Sequence, residues 1–540
     1  MGGASMEAID KYHNTPLHLA VWKSHMDVVE LLLDKGASVQ ATNKRFNTPL
    51  HLAAWNGHTN IMKLLFRGGA SIGAENRHDR TPLHLAALKG HTDVVELLLE
   101  KGASIEAICD NRNTPLHLAA RSGYTGTVEL LLKKGASVQA TNRFLNTSLH
   151  LAAWNGHTGT VELLLILGAS IEARNRSSKT SLHLAAQGGH TAVVELLLGN
   201  GAAIRAIGRS NSPLHLAVWS GHTGMVKLLL EKGAPIEAMN EDDNTPLHVA
   251  ARGDNFSIVE LLLEKGASTE VVNRHGDTPL HLASWGGYTG VVGLLLGKGA
   301  FTGAISKNKD TPLHFAAHRG HPGVVGLLLR KGASVAAVDK GNKTPLHLAA
   351  TKGDTGVVEL LLGKGAPTGA MDGNNNTPLH LAALCGHITV VELLLGNGAS
   401  IEAKNEDKNT PLHLALHRHT DVVELLLGRG ASVDAIDKHG NTPLHRAAGY
   451  GRTDIVKLLL LQGASIDVTN KQNITPLHLA AWNDHIDTVE LLLERGASIE
   501  AVTAFRNFTP LLLAARSRHT TDTVQLLQNR VVELVHENSA

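Results

Sequence analysis

Apolar residues recur along the chain in pairs of short blocks with helical spacing. In one example the first block is Pro-Leu-His-Leu-Ala-Ala at residues 115–120, and the second is Val-Glu-Leu-Leu-Leu at residues 128–132. Thr114 is suited to cap the first helix, Pro115 to fill its first position, and Gly123 to end it in the left-handed conformation. The pattern therefore predicts two helices, each of about three turns or fewer, joined by a turn.

Sixteen copies of this two-helix unit account for almost the whole chain of 540 residues. The motif T-P-L-H-L-A, with drift, recurs every 33 residues, apart from two spacings of 32 and one of 34. Its first residues are Thr15, Thr48, Thr81, Thr114, Thr147, Thr180, Ser212, Thr245, Thr278, Thr311, Thr344, Thr377, Thr410, Thr442, Thr475 and Thr509. Such short helices are marginal alone, so each unit is expected to stack on its neighbours in a solenoid.

Between each second helix and the next motif lies a stretch rich in Asn, Asp, Lys and Arg, which predicts a polar β-turn or hairpin. T-P-L-H-L-A, the G-H near the inter-helix turn, V-V-E-L-L-L and G-A-S at this period resemble ankyrin repeats over residues 3–530. The resemblance implies an all-α repeat solenoid of about sixteen stacked helix-turn-helix units with β-turn or hairpin connections, curved into a superhelix.

The turns depart from the ankyrin pattern at one position. That pattern usually has Gly two residues before the motif Thr, whereas here Gly survives there only as Gly276 and Gly440. Asn tolerates positive φ, so the asparagines directly before the motif are predicted to take over the left-handed conformation of the turn. They are Asn47, Asn113, Asn146, Asn244 and Asn409.

The two ends of the repeat array differ. Residues 1–14 match the hairpin tail of an incomplete preceding repeat, residues 15–508 hold fifteen repeats, and residues 509–540 form a degenerate C-terminal capping repeat and tail. No N-terminal cap is visible, which leaves open whether the natural chain begins further upstream. The last repeat is expected to end in a longer amphipathic helix.

Charge and composition exclude several classes of protein. The chain has 50 basic and 49 acidic residues, a net charge of +1, which gives no overall reason to bind nucleic acid or an anionic membrane. It has no apolar leader, no apolar run long enough to span a membrane and only two cysteines. We therefore expect a soluble cytoplasmic protein without disulfides or membrane insertion.

The 33 histidines belong mainly to the repeat. Fifteen are the motif His, eleven lie near the inter-helix turn, and seven remain. The repeat histidines are predicted to hydrogen-bond Thr hydroxyls and neighbouring backbone. His417 and His419 are close enough to trap a metal ion, but no Cys joins them at zinc-ligand spacing. No phosphate loop, nucleophile elbow or kinase signature occurs. The sequence therefore predicts a protein that is not an enzyme and that binds no metal, cofactor or small-molecule substrate.

The tryptophans share one position, seven residues after the motif Thr or Ser. They are Trp22, Trp55, Trp154, Trp219, Trp285 and Trp482. The resemblance implies that this end of the first helix meets the concave surface on which ankyrin repeats hold partners, and tryptophan is enriched in interface hot spots. Packing of the indole against the next turn is the favoured explanation of the position, and copying explains part of it, because residues 37–66 and 136–165 share long strings at a distance of 99 residues.

The four-residue turn tips before the first seven motifs are strongly basic, with ten cations against Asp79 and Asp110. The cations are Lys11, Lys44, Arg45, Arg77, Arg80, Arg112, Arg143, Arg176, Lys179 and Arg209. Two interpretations stay open. The tips are solvated surface, or they steer an acidic protein face onto the first seven repeats. Together with the tryptophans, all but Lys11 are the candidate partner-binding residues.

A surface of this kind predicts a non-catalytic scaffold or adaptor for protein–protein interaction. The alternative is a regulatory or targeting arm truncated from a larger enzyme, channel or effector protein.

Overall fold

The structure, a computed structural model, describes residues 5–205, 211–517 and 521–537. Within these residues it consists of helices and turns, with no β-strand. The chain divides into two compact units, Met1–Ser268 and Thr269–Ala540. Each unit is a row of helix pairs, so the predicted helical repeat solenoid is confirmed.

The described residues of the first unit form eight pairs. Its first helices, seven or eight residues long, are α1 Pro16–Trp22, α3 Pro49–Asn56, α5 Pro82–Lys89, α7 Pro115–Ser122, α9 Ser148–Trp154, α11 Ser181–Gly188, α13 Pro213–Trp219 and α15 Pro246–Arg252. Its second helices are α2 Met26–Asp34, α4 Thr59–Arg67, α6 Thr92–Glu100, α8 Thr125–Lys133, α10 Thr158–Ile166, α12 Thr191–Gly199, α14 Thr223–Glu231 and α16 Phe256–Glu264. A 3₁₀ turn lies at Asp110–Arg112.

The second unit repeats this arrangement. Its first helices are α17 Pro279–Gly286, α19 Pro312–Arg319, α21 Pro345–Lys352, α23 Pro378–Cys385, α25 Pro411–Ala415, α27 Pro443–Gly449, α29 Pro476–Trp482 and α31 Pro510–Arg516. Its second helices are α18 Thr289–Gly297, α20 Pro322–Arg330, α22 Thr355–Leu362, α24 Ile388–Gly396, α26 Thr420–Gly428, α28 Thr453–Leu461, α30 Ile486–Glu494 and α32 Thr521–Glu537. The 17-residue α32 is the longer helix expected at the end of the last repeat.

The predicted caps form as the sequence indicates. At α7 the Thr114 hydroxyl accepts a hydrogen bond from the His117 backbone N–H, while His117 Nδ1 accepts one from the Thr114 backbone N–H. Pro115 fills the first helical position, and Gly123 ends the helix with φ 78°. Histidine thus takes the place that Glu or Gln has in the usual capping box.

The core of each repeat lies between its own two helices and those of its neighbours. In the fourth repeat Leu116, Ala119 and Ala120 of α7 and Val128 and Leu131 of α8 are buried almost completely. Deep burial of residues from such short helices is possible only because adjacent repeats cover them.

The connections between repeats that the structure describes in full are β-turns. In the tip before α3 the Phe46 N–H donates to Asn43 O at 2.8 Å, and the Asn43 N–H donates to Asn47 O at 3.1 Å. Backbone hydrogen bonds join neighbouring tips, for example from the Lys44 N–H to Tyr12 O at 3.0 Å.

The predicted site of the left-handed residue in these turns is wrong. Positive φ occurs one residue earlier in each tip. The left-handed residues are Phe46, Arg112, Leu145, Asp243 and Lys408, which directly precede Asn47, Asn113, Asn146, Asn244 and Asn409. The Asn position must stay extended because its N–H and C=O both bond across the base of the turn, as Asn47 does with Asn43.

No helix in the described part of the chain combines the length and the apolar character that a membrane crossing requires.

Candidate protein-binding surface

A groove of about 670 Å³ crosses the first three repeats of the first unit. It is lined by turn tips and by the exposed side of the first helices, which together we call the first-helix face. Five of the candidate residues predicted from the sequence line it, namely Trp22, Lys44, Arg45, Trp55 and Arg80. The structure therefore brings tryptophans and tip cations from separate repeats into one site.

Three leucines that the sequence analysis did not select form an apolar part of the groove. Leu19, Leu52 and Leu85 each lie four residues after their motif Thr and all line it. Leu19 is 46 % exposed, whereas Leu52 and Leu85 are buried. Their shared position in the repeat is the one sequence signal that could have pointed to them. Because this position is leucine in most repeats, the pattern favours a role in the core instead.

The two tryptophans of the groove differ in their surroundings. Trp22 is 48 % exposed, and Trp55 is half-buried. The Lys89 Nζ lies 4.0 Å from the centre of the Trp55 ring, a cation–π contact that helps to hold the indole in place. Both rings thus contribute apolar surface to the groove, which Lys44 and Arg45 also line.

Hydrogen bonds between side-chain amides join successive turn tips. Asn43 Nδ2 donates to Asn14 Oδ1 at 3.0 Å, and Asn76 Nδ2 donates to Asn47 Oδ1 at 2.8 Å. Asn43 Oδ1 also accepts the N–H of Arg45 at 3.0 Å. This amide ladder fixes the backbone that carries Lys44 and Arg45. Both side chains are exposed.

The ladder is interrupted at the third motif. Arg80 stands where Asn47 stands one repeat earlier, and Cys109 stands where Asn76 does. The Arg80 C=O still accepts a hydrogen bond from the ring of His51, at 2.9 Å. Burial raises the pKa of the Cys109 thiol, an effect that the neighbouring Arg80 guanidinium partly offsets.

The other predicted cations do not line this groove. Arg77, Arg112, Arg143 and Arg176 are exposed on their tips. Lys179 is half-buried, burial lowers the pKa of its amine, and Nζ donates to Gln187 Oε1 at 2.8 Å. Arg209 lies outside the described residues.

The remaining tryptophans are also exposed at the ends of their first helices. The exposed fractions are 43 % for Trp154, 69 % for Trp219, 42 % for Trp285 and 43 % for Trp482. In the second unit Trp285 belongs to an aromatic cluster, with Phe315 edge-on at 5.6 Å, His318 stacked at 5.9 Å and the Arg319 guanidinium 4.7 Å from the ring centre. These three neighbours all belong to α19, so the next first helix holds this ring, and not the next turn that the packing interpretation names.

The repeat histidines have the structural roles predicted for them. His117 bonds the Thr114 hydroxyl at 2.8 Å, and its Nε2 bonds the Asn146 C=O of the next repeat at 3.0 Å. Near the inter-helix turn, His91 Nε2 bonds the Trp55 C=O of the preceding repeat at 3.0 Å. The described residues contain no cluster of three or more His, Cys, Asp or Glu that could hold a metal ion.

Comparison with protein families identifies the repeat. The family model described as "Ankyrin repeats (3 copies)" matches residues 50–142, 149–240, 233–306, 302–372, 356–437 and 433–503. A second model, "Ankyrin repeats (many copies)", matches residues 23–66. A comparison with curated proteins finds no match.

Proposed function

The chain belongs to the ankyrin-repeat family, whose repeats are generally protein-binding modules, and on this basis we propose that it is a non-catalytic scaffold or adaptor. Its partners bind on the first-helix face. The observation that carries the proposal is the groove in which Trp22 and Trp55 meet Lys44, Arg45 and Arg80. Aromatic anchors beside arginine are the composition of energetic hot spots in protein interfaces.

The charge of the groove selects the partner. Lys44, Arg45 and Arg80 line it together with a single carboxylate, that of Asp10. An acidic segment of another protein is therefore attracted to the first repeats, and the basic tips that follow extend this attraction along the first unit.

The test begins with selection of binders from a random 12-residue peptide library on the full chain. We expect the selected peptides to be enriched in Asp and Glu. Replacing Lys44, Arg45, Arg77 and Arg80 together with Glu is expected to slow their association at low salt by at least about tenfold, because steering acts mainly on the association rate. Stopped-flow fluorescence measures this rate.

A matched variant separates the groove from net charge. Lys35, Lys63, Arg67 and Lys101 are exposed and lie outside the groove, and their replacement with Glu changes the net charge by the same amount. This control should keep most of the association rate. Equal slowing in both variants, or no slowing in either, would contradict acidic steering.

The tryptophan contribution is tested by dissociation. The double variant Trp22→Ala and Trp55→Ala is expected to release the selected peptides at least about tenfold faster, since hot-spot truncation acts mainly on the dissociation rate. The Trp482→Ala variant, which removes an equally exposed indole in the second unit, should leave release unchanged. If the double variant releases the peptides at the wild-type rate, the groove is not their binding site.

The cytoplasm is the proposed setting, because both cysteines are free thiols, as in proteins of a reducing compartment. The alternative function, a regulatory arm of a larger polypeptide, stays a hypothesis.

A further inference from the structure

One cation of the groove differs from the others in its surroundings. Arg80 is half-buried, whereas Lys44 and Arg45 are exposed. Its Nε atom is buried and has no hydrogen-bond partner among the described residues. A buried guanidinium N–H without an acceptor is costly, since desolvation is then uncompensated.

The interrupted ladder is the cause. Where the preceding repeat pairs Asn47 with Asn76, the Arg80 guanidinium faces the Cys109 side chain, a weak hydrogen-bond partner that leaves Nε without an acceptor. Burial raises the pKa of the Cys109 thiol, so the thiol stays neutral at pH 7 and does not balance the charge of Arg80. The Cys109 Sγ itself points its hydrogen at Asp110 O, 3.7 Å away.

Two carboxylates of this region, those of Asp10 and Asp110, are already engaged. Asp10 Oδ1 accepts the N–H groups of Tyr12 and Asn14, both at 2.8 Å, and Oδ2 accepts Asn14 Nδ2 at 3.0 Å. The Asp110 carboxylate lies 2.9 Å from His78 Nδ1. In the described part of the chain, no carboxylate forms an ion pair with Arg80.

Resting on the proposed protein-binding function, we propose that the groove takes an extended acidic peptide, one carboxylate of which forms an ion pair with the Arg80 guanidinium. The carboxylate supplies the acceptor that Nε lacks and a negative charge that balances the positive charge of the guanidinium. Apolar peptide side chains lie on Leu19, Leu52 and the two tryptophans. At about 9 Å between packed helices, three repeats span roughly 20 Å, which six or seven extended residues cover.

The occupant is an acidic side chain rather than a phosphoryl group. Recognition of a phosphoryl dianion calls for several converging cations, usually a cluster of arginines. Here only Arg80 is half-buried, and Lys44 and Arg45 project from an exposed tip. One guanidinium beside apolar surface matches one carboxylate beside an apolar side chain.

A double-mutant cycle tests the pairing. In a peptide selected as above, each Glu is replaced in turn with Gln, and affinity for the full chain is measured by fluorescence anisotropy. At one position we expect a loss of at least about tenfold with the wild type, as for a charge-assisted hydrogen bond. With Arg80→Gln the same peptide change should cost less than twofold. The matched variant Arg45→Gln should keep the tenfold difference.

The outcomes separate this inference from the proposed function. If the Trp22→Ala and Trp55→Ala variant binds the peptides as tightly as the wild type, the groove is not the site and both fail. In the second outcome that variant loses binding, but every Glu→Gln change in the peptide lowers affinity equally for the Arg80→Gln variant and for the wild type. Only the ion pair is then overturned. A further peptide carries phosphoserine in place of the sensitive Glu. If it binds the wild type more than tenfold tighter than the Glu peptide does, and this gain disappears with Arg80→Gln, the choice of a carboxylate is overturned. Circular dichroism confirms that each variant is folded.

Discussion

At the scale of single residues, the motif histidine connects one repeat to the next. Because His117 Nε2 bonds a backbone carbonyl, it carries the ring proton, and Nδ1 is left to accept the Thr114 N–H. Burial lowers the pKa of His117 to about 4, so the ring is neutral at pH 7. A neutral ring with one donor and one acceptor satisfies buried groups of two repeats at once.

The glycine that ends the first helix of the fourth repeat is constrained twice. Gly123 has φ 78°, and a Cβ added there would lie 2.5 Å from Nδ1 of His157 in the following repeat. We expect Gly123→Ala to destabilise the fourth and fifth repeats by about 2 kcal/mol or more, since the left-handed conformation alone costs an alanine about 1–2 kcal/mol. Hydrogen exchange of amides in residues 114–167 measures the loss.

Two further glycines serve as controls. Gly135 has φ 98° but open space around its Cβ position, so Gly135→Ala should cost only the backbone strain. Gly126 lies within α8, with Thr92 Oγ1 at 3.9 Å as the one neighbour of its Cβ position, so Gly126→Ala should be neutral or stabilising by up to about 1 kcal/mol. Equal costs at Gly123 and Gly135 would contradict the steric role of His157.

At the scale of helices, one element departs from the repeat. The helix α25 has five residues, and its repeat is one residue shorter than its neighbours. Leu416 fills the position that Ala120 has in the fourth repeat and is fully buried. In the next repeat Arg452 replaces the turn histidine and donates to His417 O and Thr420 Oγ1, both at 2.8 Å. The longer side chain thus bridges the shortened turn.

This bridge does not replace the lost helical turn, because it consists of side-chain hydrogen bonds that are exposed or only partly buried. We expect the amides of residues 416–420 to exchange earlier than those of the equivalent turn at residues 384–388. Arg452→Ala should accelerate exchange at 416–420 further. Native-state hydrogen exchange with mass spectrometry measures both effects, and uniform protection across the two turns would refute the prediction.

At the scale of the whole molecule, the buried histidines make stability depend on pH. Burial lowers the pKa to about 4 for His51, His84, His117, His183 and His413, against an ordinary value of 6.5. Between these values the unfolded chain binds more protons than the folded one. The free energy of unfolding therefore falls as pH drops from 6.5 towards 4, by up to about 3 kcal/mol for each such histidine, and it is fully retained above 6.5.

Urea unfolding followed by circular dichroism at pH 7.5, 6.5, 5.5 and 4.5 measures this dependence. The midpoint should change little between pH 7.5 and 6.5 and then decrease steadily. The decrease should persist in 0.5 M NaCl, because salt screens exposed charges but does not relieve desolvation of a buried ring. A midpoint that is constant down to pH 4.5 would contradict the prediction.

Local signals made the repeat predictable. A Thr cap, a Pro at the first helical position and a Gly at the end act within a few residues of Thr114, Pro115 and Gly123, so their effect can be read without knowing the fold. Sequence alone wrongly predicts the left-handed residue of the tips at Asn47, because the choice between Phe46 and Asn47 depends on the hydrogen bonds that close the turn.

The sequence by itself determined the two-helix unit, its sixteen copies and the positions of the fifteen candidate residues within the unit, since all of these follow from spacing along the chain. Only the tertiary structure decided which candidates meet. Trp22, Trp55 and Arg80 line one groove because three repeats are packed side by side, and the Arg80 Nε lacks an acceptor because Cys109 of the following turn stands where an amide stands one repeat earlier. Contacts between repeats depend on atoms about thirty residues apart, which no local pattern specifies.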